Sequence, residues 1–308
     1  MYLIDGGLST ELESIGAHFD GELWTGHALL NDPNLVKLAH KNFVDAGAEV
    51  IITSSYQLSR AGFQEIGLSA TDADRALEES VELAKSAVLG STCRVAASIG
   101  PYGAILHDGS EFRGDYKVSQ AQLEDFHFER LEVILAFKPD MLAVETIPNV
   151  IETKALANVL KNVALPAWFS FTAASGSKMW SGEHIEDAAT EIAGLANLVA
   201  AGVNCLKPIH VAELTRKINA ITGLPAIAYP NDGGKWDPET NTWYGQDSKS
   251  LVDWIPEWKD TAIEWVGGCC GINANEIARV KTSARKIARK IECDLYLVGP
   301  NPQLRIGL

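Results

Sequence analysis

The chain has 308 residues, 46% of them hydrophobic, and a net charge of −14 from 26 Lys and Arg against 40 Asp and Glu. That length buries a large core, and α/β barrels commonly use about 250 residues as one domain. No stripe of clustered Lys and Arg is present, which excludes a nucleic-acid partner recognised through phosphates, and no uncharged apolar run of about 18 residues exists to cross a membrane.

The N-terminal Met1-Tyr2-Leu3-Ile4-Asp5 has no basic region leading into an apolar one, so no secretory leader is expected. Five cysteines, two of them adjacent, do not make a disulfide framework in a chain this long. Spaced cysteines in a reducing compartment point to metal or catalysis, and the cytoplasm is the expected location.

In chain order, short apolar runs alternate with segments of helical period. A strand at 2–5 precedes a helix at 34–46, which follows the N-cap and first-turn pair Asp32-Pro33. Strands at 49–54, 94–100 and 140–145 lead into helices at 72–89, 119–137 and 149–162. Strands at 167–172 and 203–207 lead into helices at 185–200 and 211–221. Strands at 226–229 and 264–266 lead into helices at 248–259 and 274–291. The strand segments are short and continuously apolar, as buried parallel strands are. Eight such pairs predict a single-domain (β/α)8 TIM barrel over residues 1–292, with 293–308 as a C-terminal extension. An open doubly wound sheet is the competing arrangement.

Barrel chemistry sits at the C-terminal ends of the strands. The polar residues of this chain fall there: Asp5 ends the first strand, Ser54 and Ser55 the second, and Glu145 the fourth. Ser170 and Thr172 close the fifth, Cys205 lies in the sixth, Asn231 follows the seventh, and Cys269 and Cys270 follow the eighth. Zinc sites that do chemistry keep three protein ligands and one open position, with Zn–S bonds of about 2.3 Å. Cys205, Cys269 and Cys270 supply three thiolates from strands two apart, and Gly267-Gly268 lets the chain bend and leaves room beside them. The plainer alternative is a set of small buried core residues.

Gly267-Gly268-Cys269-Cys270-Gly271 together with Gly202-Val203-Asn204-Cys205 resembles the homocysteine S-methyltransferase family of zinc-dependent (β/α)8 barrels. The resemblance runs through Asp5-Gly6-Gly7, Thr53-Ser54-Ser55-Tyr56-Gln57, Gly100-Pro101-Tyr102-Gly103-Ala104, Asp108-Gly109-Ser110-Glu111, Glu145-Thr146-Ile147-Pro148-Asn149 and Tyr229-Pro230-Asn231. It is closest to the cobalamin-independent branch that uses S-methylmethionine or S-adenosylmethionine. It implies Zn2+ on Cys205, Cys269 and Cys270. It also implies Asp5 and Glu145 on the ammonium of L-homocysteine, and Ser54, Ser55 and the backbone near Gly6 on its carboxylate. Asn231 matches an asparagine that occupies the metal before substrate arrives in cobalamin-dependent relatives.

The implied reaction moves a methyl group from a sulfonium donor to the homocysteine sulfur, giving methionine. Each residue also has a plainer reading. Asp5, Ser54, Ser55 and Asn231 could close turns, and Glu145 could pair with a buried cation. The chain departs from the family at Cys205-Leu206-Lys207-Pro208, where strand alternation puts Lys207 on the side of Cys205. A Schiff-base lyase using Lys207 is therefore the alternative enzyme, and a zinc scaffold without turnover a third reading. His107, His127 and His184 are expected on the surface or in packing, and Cys93 and Cys293 as bystanders.

Overall fold

The computed structural model describes residues 1–18, 25–237, 242–244 and 249–283. Its strands are β1 (Tyr2–Leu3), β2 (Val50–Ile52), β3 (Arg94–Ile99), β4 (Met141–Ile147), β5 (Ala167–Phe171), β6 (Leu198–Asn204), β7 (Ala226–Tyr229), β8 (Lys235–Asp237), β9 (Thr242–Tyr244) and β10 (Ile263–Val266). Its helices are α1 (Leu8–Ser14), α2 (Thr25–Asn31), α3 (Pro33–Ala46), α4 (Arg60–Glu65), α5 (Ala70–Ala87), α6 (Ser110–Arg113), α7 (Gln120–Ala136), α8 (Val150–Leu160), α9 (Ile185–Ile192), α10 (Val211–Thr222) and α11 (Leu251–Trp254). A last helical stretch covers 274–283.

β8 and β9 pair antiparallel as a hairpin after β7. The other eight strands form one parallel sheet in the order β1-β10-β7-β6-β5-β4-β3-β2. A parallel bridge from Ile4 to Val50 joins the two edges, with Asp5 N donating to Val50 O at 3.1 Å. The sheet thereby closes into the predicted barrel. Closure removes the unpaired edges that an open sheet would expose.

Helix starts follow their local chemistry. Asp32 caps α3 through Leu35 N at 3.2 Å, Pro33 fills the first turn, and Gly47 at φ 99 ends it. Ser69 with Asp72 and Ser119 with Gln122 form capping boxes for α5 and α7.

Two expectations about β6 are corrected. The helix expected at 185–200 stops at Ile192, because Gly194 takes φ 87 and ends it. The released apolar segment becomes β6, which starts at Leu198 and ends at Asn204, before Cys205. The helix expected at 248–259 is only α11 followed by a 3-10 turn, Ile255–Trp258, where Pro256 removes a helical donor. The extension at 293–308, its boundary at 292, and Cys293 lie outside the described residues.

The barrel interior holds Ile4, Val50, Ala96, Met141, Ala143, Trp168, Ala200, Ile227, Tyr229 and Trp265. Side chains alternate along a strand, so the next inward positions toward the C-terminal end are Ser98, Glu145, Ser170 and Asn204, all buried. The apolar filling therefore gives way to a polar layer directly beneath the loops. At the opposite mouth Tyr2 stacks on Trp265 at 4.4 Å, with the Arg94 guanidinium 5.7 Å from the Trp265 ring centre.

Candidate active site

Cys205 is the first residue past β6 and takes φ 51, a left-handed conformation unusual for a side chain with a Cβ. Its N–H donates to Tyr229 O at 3.2 Å, and its carbonyl accepts from Thr172 Oγ1 at 3.2 Å. Cys269 and Cys270 come from the turn after β10, held by Cys269 N to Pro230 O at 2.8 Å and Gly268 N to Asp5 O at 2.9 Å. Gly267 and Gly268 matter there for closeness: an added Cβ would lie 2.2 Å from Ile4 Cγ1 and 2.2 Å from Ile272 Cγ2 respectively. The left-handed position is Gly271, at φ 82.

The three sulfurs lie within 4.8 Å of one another, and Cys205 and Cys270 are 3.9 Å apart. A tetrahedral zinc with bonds of about 2.3 Å needs sulfurs about 3.8 Å apart, so the cluster fits such an ion. The Cys205 thiol is raised by its Cys269 and Cys270 neighbours and by burial, while Cys270 is lowered by accepting hydrogen bonds from Cys205 and Cys269. Three converging sulfurs, each acting on the others' protons, form a donor set that a divalent cation would complete.

Two carboxylates stand in the same mouth. Asp5 Oδ2 accepts from Ile52 N at 2.7 Å, and Oδ1 is buried with no partner. Burial raises Asp5 well above the usual carboxylate range, against the Ile52 hydrogen bond and with added repulsion from Glu145. Glu145 Oε1 accepts from Ser98 Oγ at 2.5 Å. Burial pushes Glu145 up to about 8, partly offset by the Ser98 and Tyr229 hydroxyls. Neither carboxylate has a cationic partner among the described residues. Two buried acids without a cation are costly, and they leave a place for a ligand ammonium.

The remaining expected residues separate. Ser54 Oγ is buried and unpartnered. Ser55 Oγ instead donates to Ser98 O at 2.8 Å and lies 2.7 Å from Thr53 Oγ1, so its hydroxyl serves the fold. An added Cβ at Gly6 would lie 2.3 Å from Ile272 O, which presses the β1 loop onto the cysteine turn. Asn231 Oδ1 is buried and unpartnered, and its N–H donates to Leu206 O at 3.0 Å. Lys207 is exposed, at the start of the 3-10 turn Pro208–His210. Because β6 stops at Asn204, the alternation expected to put Lys207 beside Cys205 does not apply, and no catalytic amine enters the barrel at this position.

His184 is the N-cap residue of α9. His127 is fully buried and bonded to Glu152 at 2.8 Å, a deeper packing role than a surface histidine. Asn204, Thr146, Ser98 and Tyr229 were not singled out as site residues. Ser98 and Asn204 continue the inward rows of β3 and β6, the signal that could have found them. Tyr229 OH receives Trp168 Nε1 at 3.0 Å and meets Ser170 Oγ at 2.5 Å.

The family model described as homocysteine S-methyltransferase matches residues 2–284. Homocysteine S-methyltransferase 1 of Arabidopsis thaliana is 37% identical over 306 residues, 92% of this chain and 93% of that protein. The homocysteine S-methyltransferase of Escherichia coli (strain K12) is 37% identical over 292 residues, 91% of this chain and 94% of that protein. The crystal structure of the E. coli homocysteine methyltransferase MmuM in its metallated form superposes with a TM-score of 0.81 at 35% identity, covering 92% of this chain and 96% of that one. A dihydrodipicolinate synthase, at 11% identity and a TM-score of 0.51, shares the fold alone.

Proposed function

Because the chain belongs to the homocysteine S-methyltransferase family, we propose that it transfers a methyl group from a sulfonium donor to L-homocysteine, giving methionine. S-methylmethionine is the preferred donor in this reading, ahead of S-adenosylmethionine. The observation that carries it is the convergence of Cys205, Cys269 and Cys270 within 4.8 Å in the mouth that also holds Asp5 and Glu145.

Zn2+ held by these three cysteines would supply the charge that keeps an incoming alkyl thiol deprotonated near neutral pH, where a free thiol of pKa about 8.5 is mostly protonated. Asp5 and Glu145 grip the substrate ammonium, while Ser54 and the backbone at Gly6 receive its carboxylate. Asn231, whose Oδ1 is buried without a partner, precedes Asp232, whose N–H ties this loop to Cys270 O at 3.0 Å. The homocysteine sulfur forms a bond to the donor methyl carbon as the carbon–sulfonium bond breaks. The bonding pair leaves with a neutral thioether, so no general acid is required. Betaine and methylfolate have poorer amine leaving groups. The protein's share is positioning and exclusion of water.

The test is methionine formation by zinc-loaded protein from homocysteine with S-methylmethionine, S-adenosylmethionine, betaine and methylfolate at equal concentration. Turnover with a sulfonium, about one zinc per chain, and loss of both in Cys205→Ser, Cys269→Ser and Cys270→Ser are expected. Turnover with betaine alone would overturn the donor assignment, and full activity without metal would overturn the role of the cysteines.

A further inference from the structure

The segment between β3 and α7 carries three acids that the reading above does not use, Asp108, Glu111 and Asp115, and of these Glu111 makes no ion pair among the described residues. Its start is fixed by Tyr102 N donating to Glu152 Oε1 at 2.6 Å. Its end is fixed by the Tyr116 hydroxyl on Glu152 Oε2 and by Asn149 Nδ2 on Gly114 O at 2.9 Å. Glu152 is fully buried at the first turn of α8, where His127 Nε2 also meets it at 2.8 Å. In the middle, α6 is pressed onto the 3-10 turn Tyr102–Ile105 so tightly that a Cβ on Gly103 would sit 2.5 Å from Glu111 N. A segment clamped at both ends and packed in the middle presents Glu111 in a set position at the C-terminal mouth of the barrel.

The nearby cation is already engaged. Arg113 pairs with Asp115 at 3.1 Å and with Asp108 at 3.6 Å. Glu111 is half-buried, and its carboxylate meets its own backbone N–H but makes no ion pair among the described residues. Burial pushes its carboxyl up to about 7, partly offset by its own backbone N–H, while the charges of Asp108 and Arg113 act in opposite directions. The half-buried Tyr56 ring lies against Gly100, where the segment leaves β3 (an added Cβ there would lie 2.6 Å from Tyr56 Cδ2), and its phenol is raised by burial first and then by the charges of Glu111 and Cys205. Glu111 therefore belongs to the same mouth as the sulfur cluster.

We propose that Glu111 is a specificity-determining residue that binds the positive charge of the methyl donor. The proposal rests on the sulfonium-donor reading. Asp5 and Glu145 are assigned there to homocysteine, and Glu111 is a further acid of that mouth without an ion pair among the described residues. A carboxylate held half out of water without a cation is costly, and an arriving cation repays that cost. The charge contacted is either the sulfonium or the donor's ammonium, and two donors separate them. S-methylmethionine carries both, whereas dimethylsulfonioacetate carries only the sulfonium.

The experiment compares wild type with Glu111→Gln and Glu111→Asp in the zinc-loaded enzyme, measuring KM for each donor and for homocysteine. Direct calorimetric binding of S-methylmethionine is measured alongside. Glu111→Gln is expected to raise the S-methylmethionine KM and Kd by about ten- to a hundredfold, the scale of a lost charge-assisted contact. The homocysteine KM and zinc content stay within twofold, and Glu111→Asp recovers part of the loss. A parallel rise for dimethylsulfonioacetate assigns the contact to the sulfonium, and no rise there assigns it to the ammonium. Wild-type turnover with S-methylmethionine and an unchanged donor KM in Glu111→Gln would overturn the role of Glu111. Absence of any sulfonium turnover by wild type would overturn the donor reading itself.

Discussion

Asn204 holds Thr146 by two hydrogen bonds. Its Oδ1 accepts from Thr146 N at 2.8 Å, and its Nδ2 donates to Thr146 Oγ1 at 2.7 Å. Thr146 takes φ 62 and the next residue after Asn204, Cys205, takes φ 51. The tie thus joins two strained strand ends, one next to Glu145 and one at a candidate metal ligand. Strained positive-φ residues persist where surrounding bonds over-determine them. Asn204→Ala removes both bonds and the Ser170 Oγ contact at 2.9 Å. Stability is expected to fall by about 2–4 kcal/mol from the polar groups left unpaired, and zinc affinity by about 10–100-fold from lost support around the ligand. Urea unfolding and competitive chelation measure the two, and wild-type values in both would show that the strand ends hold themselves.

Glu145→Gln separates a binding role from a structural one. Burial pushes Glu145 up to about 8, so the fold already resists its charge, and a neutral amide of the same shape removes that cost. The melting temperature is expected to stay level or rise. If the carboxylate grips the homocysteine ammonium, KM for homocysteine rises tenfold or more, as for a lost charge-assisted contact of about 1.5–3 kcal/mol. Zinc content is unchanged. A lower melting temperature with unchanged KM would make Glu145 a structural residue.

Much of this site is legible in the residue pattern because barrel topology turns strand ends into a meeting place. Asp5, Glu145, Cys205 and the Cys269-Cys270 pair are distant from one another in sequence, yet each follows an apolar run and so falls at one mouth. The pattern misplaces β6 because the stretch from Leu195 to Ala201 suits either period, and only the left-handed turn at Gly194 decides between them. That shift also removes Lys207 from the barrel. Strand alternation could place Ser98 and Asn204 inward, but the partners that Asn204, Thr146 and Ser98 take are silent in sequence for another reason. Neutral polar residues gain their meaning from the partner across the sheet, and register appears only once the sheet has closed.

His40 supplies a pH test of the outer core. It lies on α3, fully buried, with both ring nitrogens unpartnered. Burial lowers it from 6.5 to about 4. Above pH 6.5 the ring is neutral in both states and the fold loses nothing. As pH falls from 6.5 toward 4 the unfolded chain takes up a proton that the folded chain refuses, so stability drops, by about 2 kcal/mol on reaching pH 5. His127 is also lowered and acts in the same direction, so the decisive quantity is a difference between proteins. His40→Leu is expected to lose about 2 kcal/mol less than wild type between pH 6.5 and 5 in urea titrations. Equal losses would mean that His40 reaches water or a partner before the protein unfolds.

Gly202 tests whether strand spacing sets the metal centre. It lies in β6 opposite Ile227 of β7. An added Cβ would lie 1.8 Å from Ile227 O and 2.8 Å from Ile227 C and N. Those atoms are backbone, so no rotamer change relieves the clash, and Gly202→Ala must push β6 away from β7. Overpacking of this kind costs about 1–3 kcal/mol or more. The displacement also reaches Cys205, three residues on, whose N–H bonds Tyr229 O of β7 at 3.2 Å. Cys269 is tied to the same C-terminal end of β7, through Pro230 O at 2.8 Å, so moving β6 away from β7 opens the sulfur cluster itself. Gly202→Ala is expected to lower both the melting temperature and zinc affinity. Ala201→Gly, one residue away and without the clash, is expected to weaken the fold mildly and leave zinc affinity near wild type. A Gly202→Ala protein that melts early yet binds zinc as tightly as wild type would show that the cysteines keep their geometry independently of the strands that carry them.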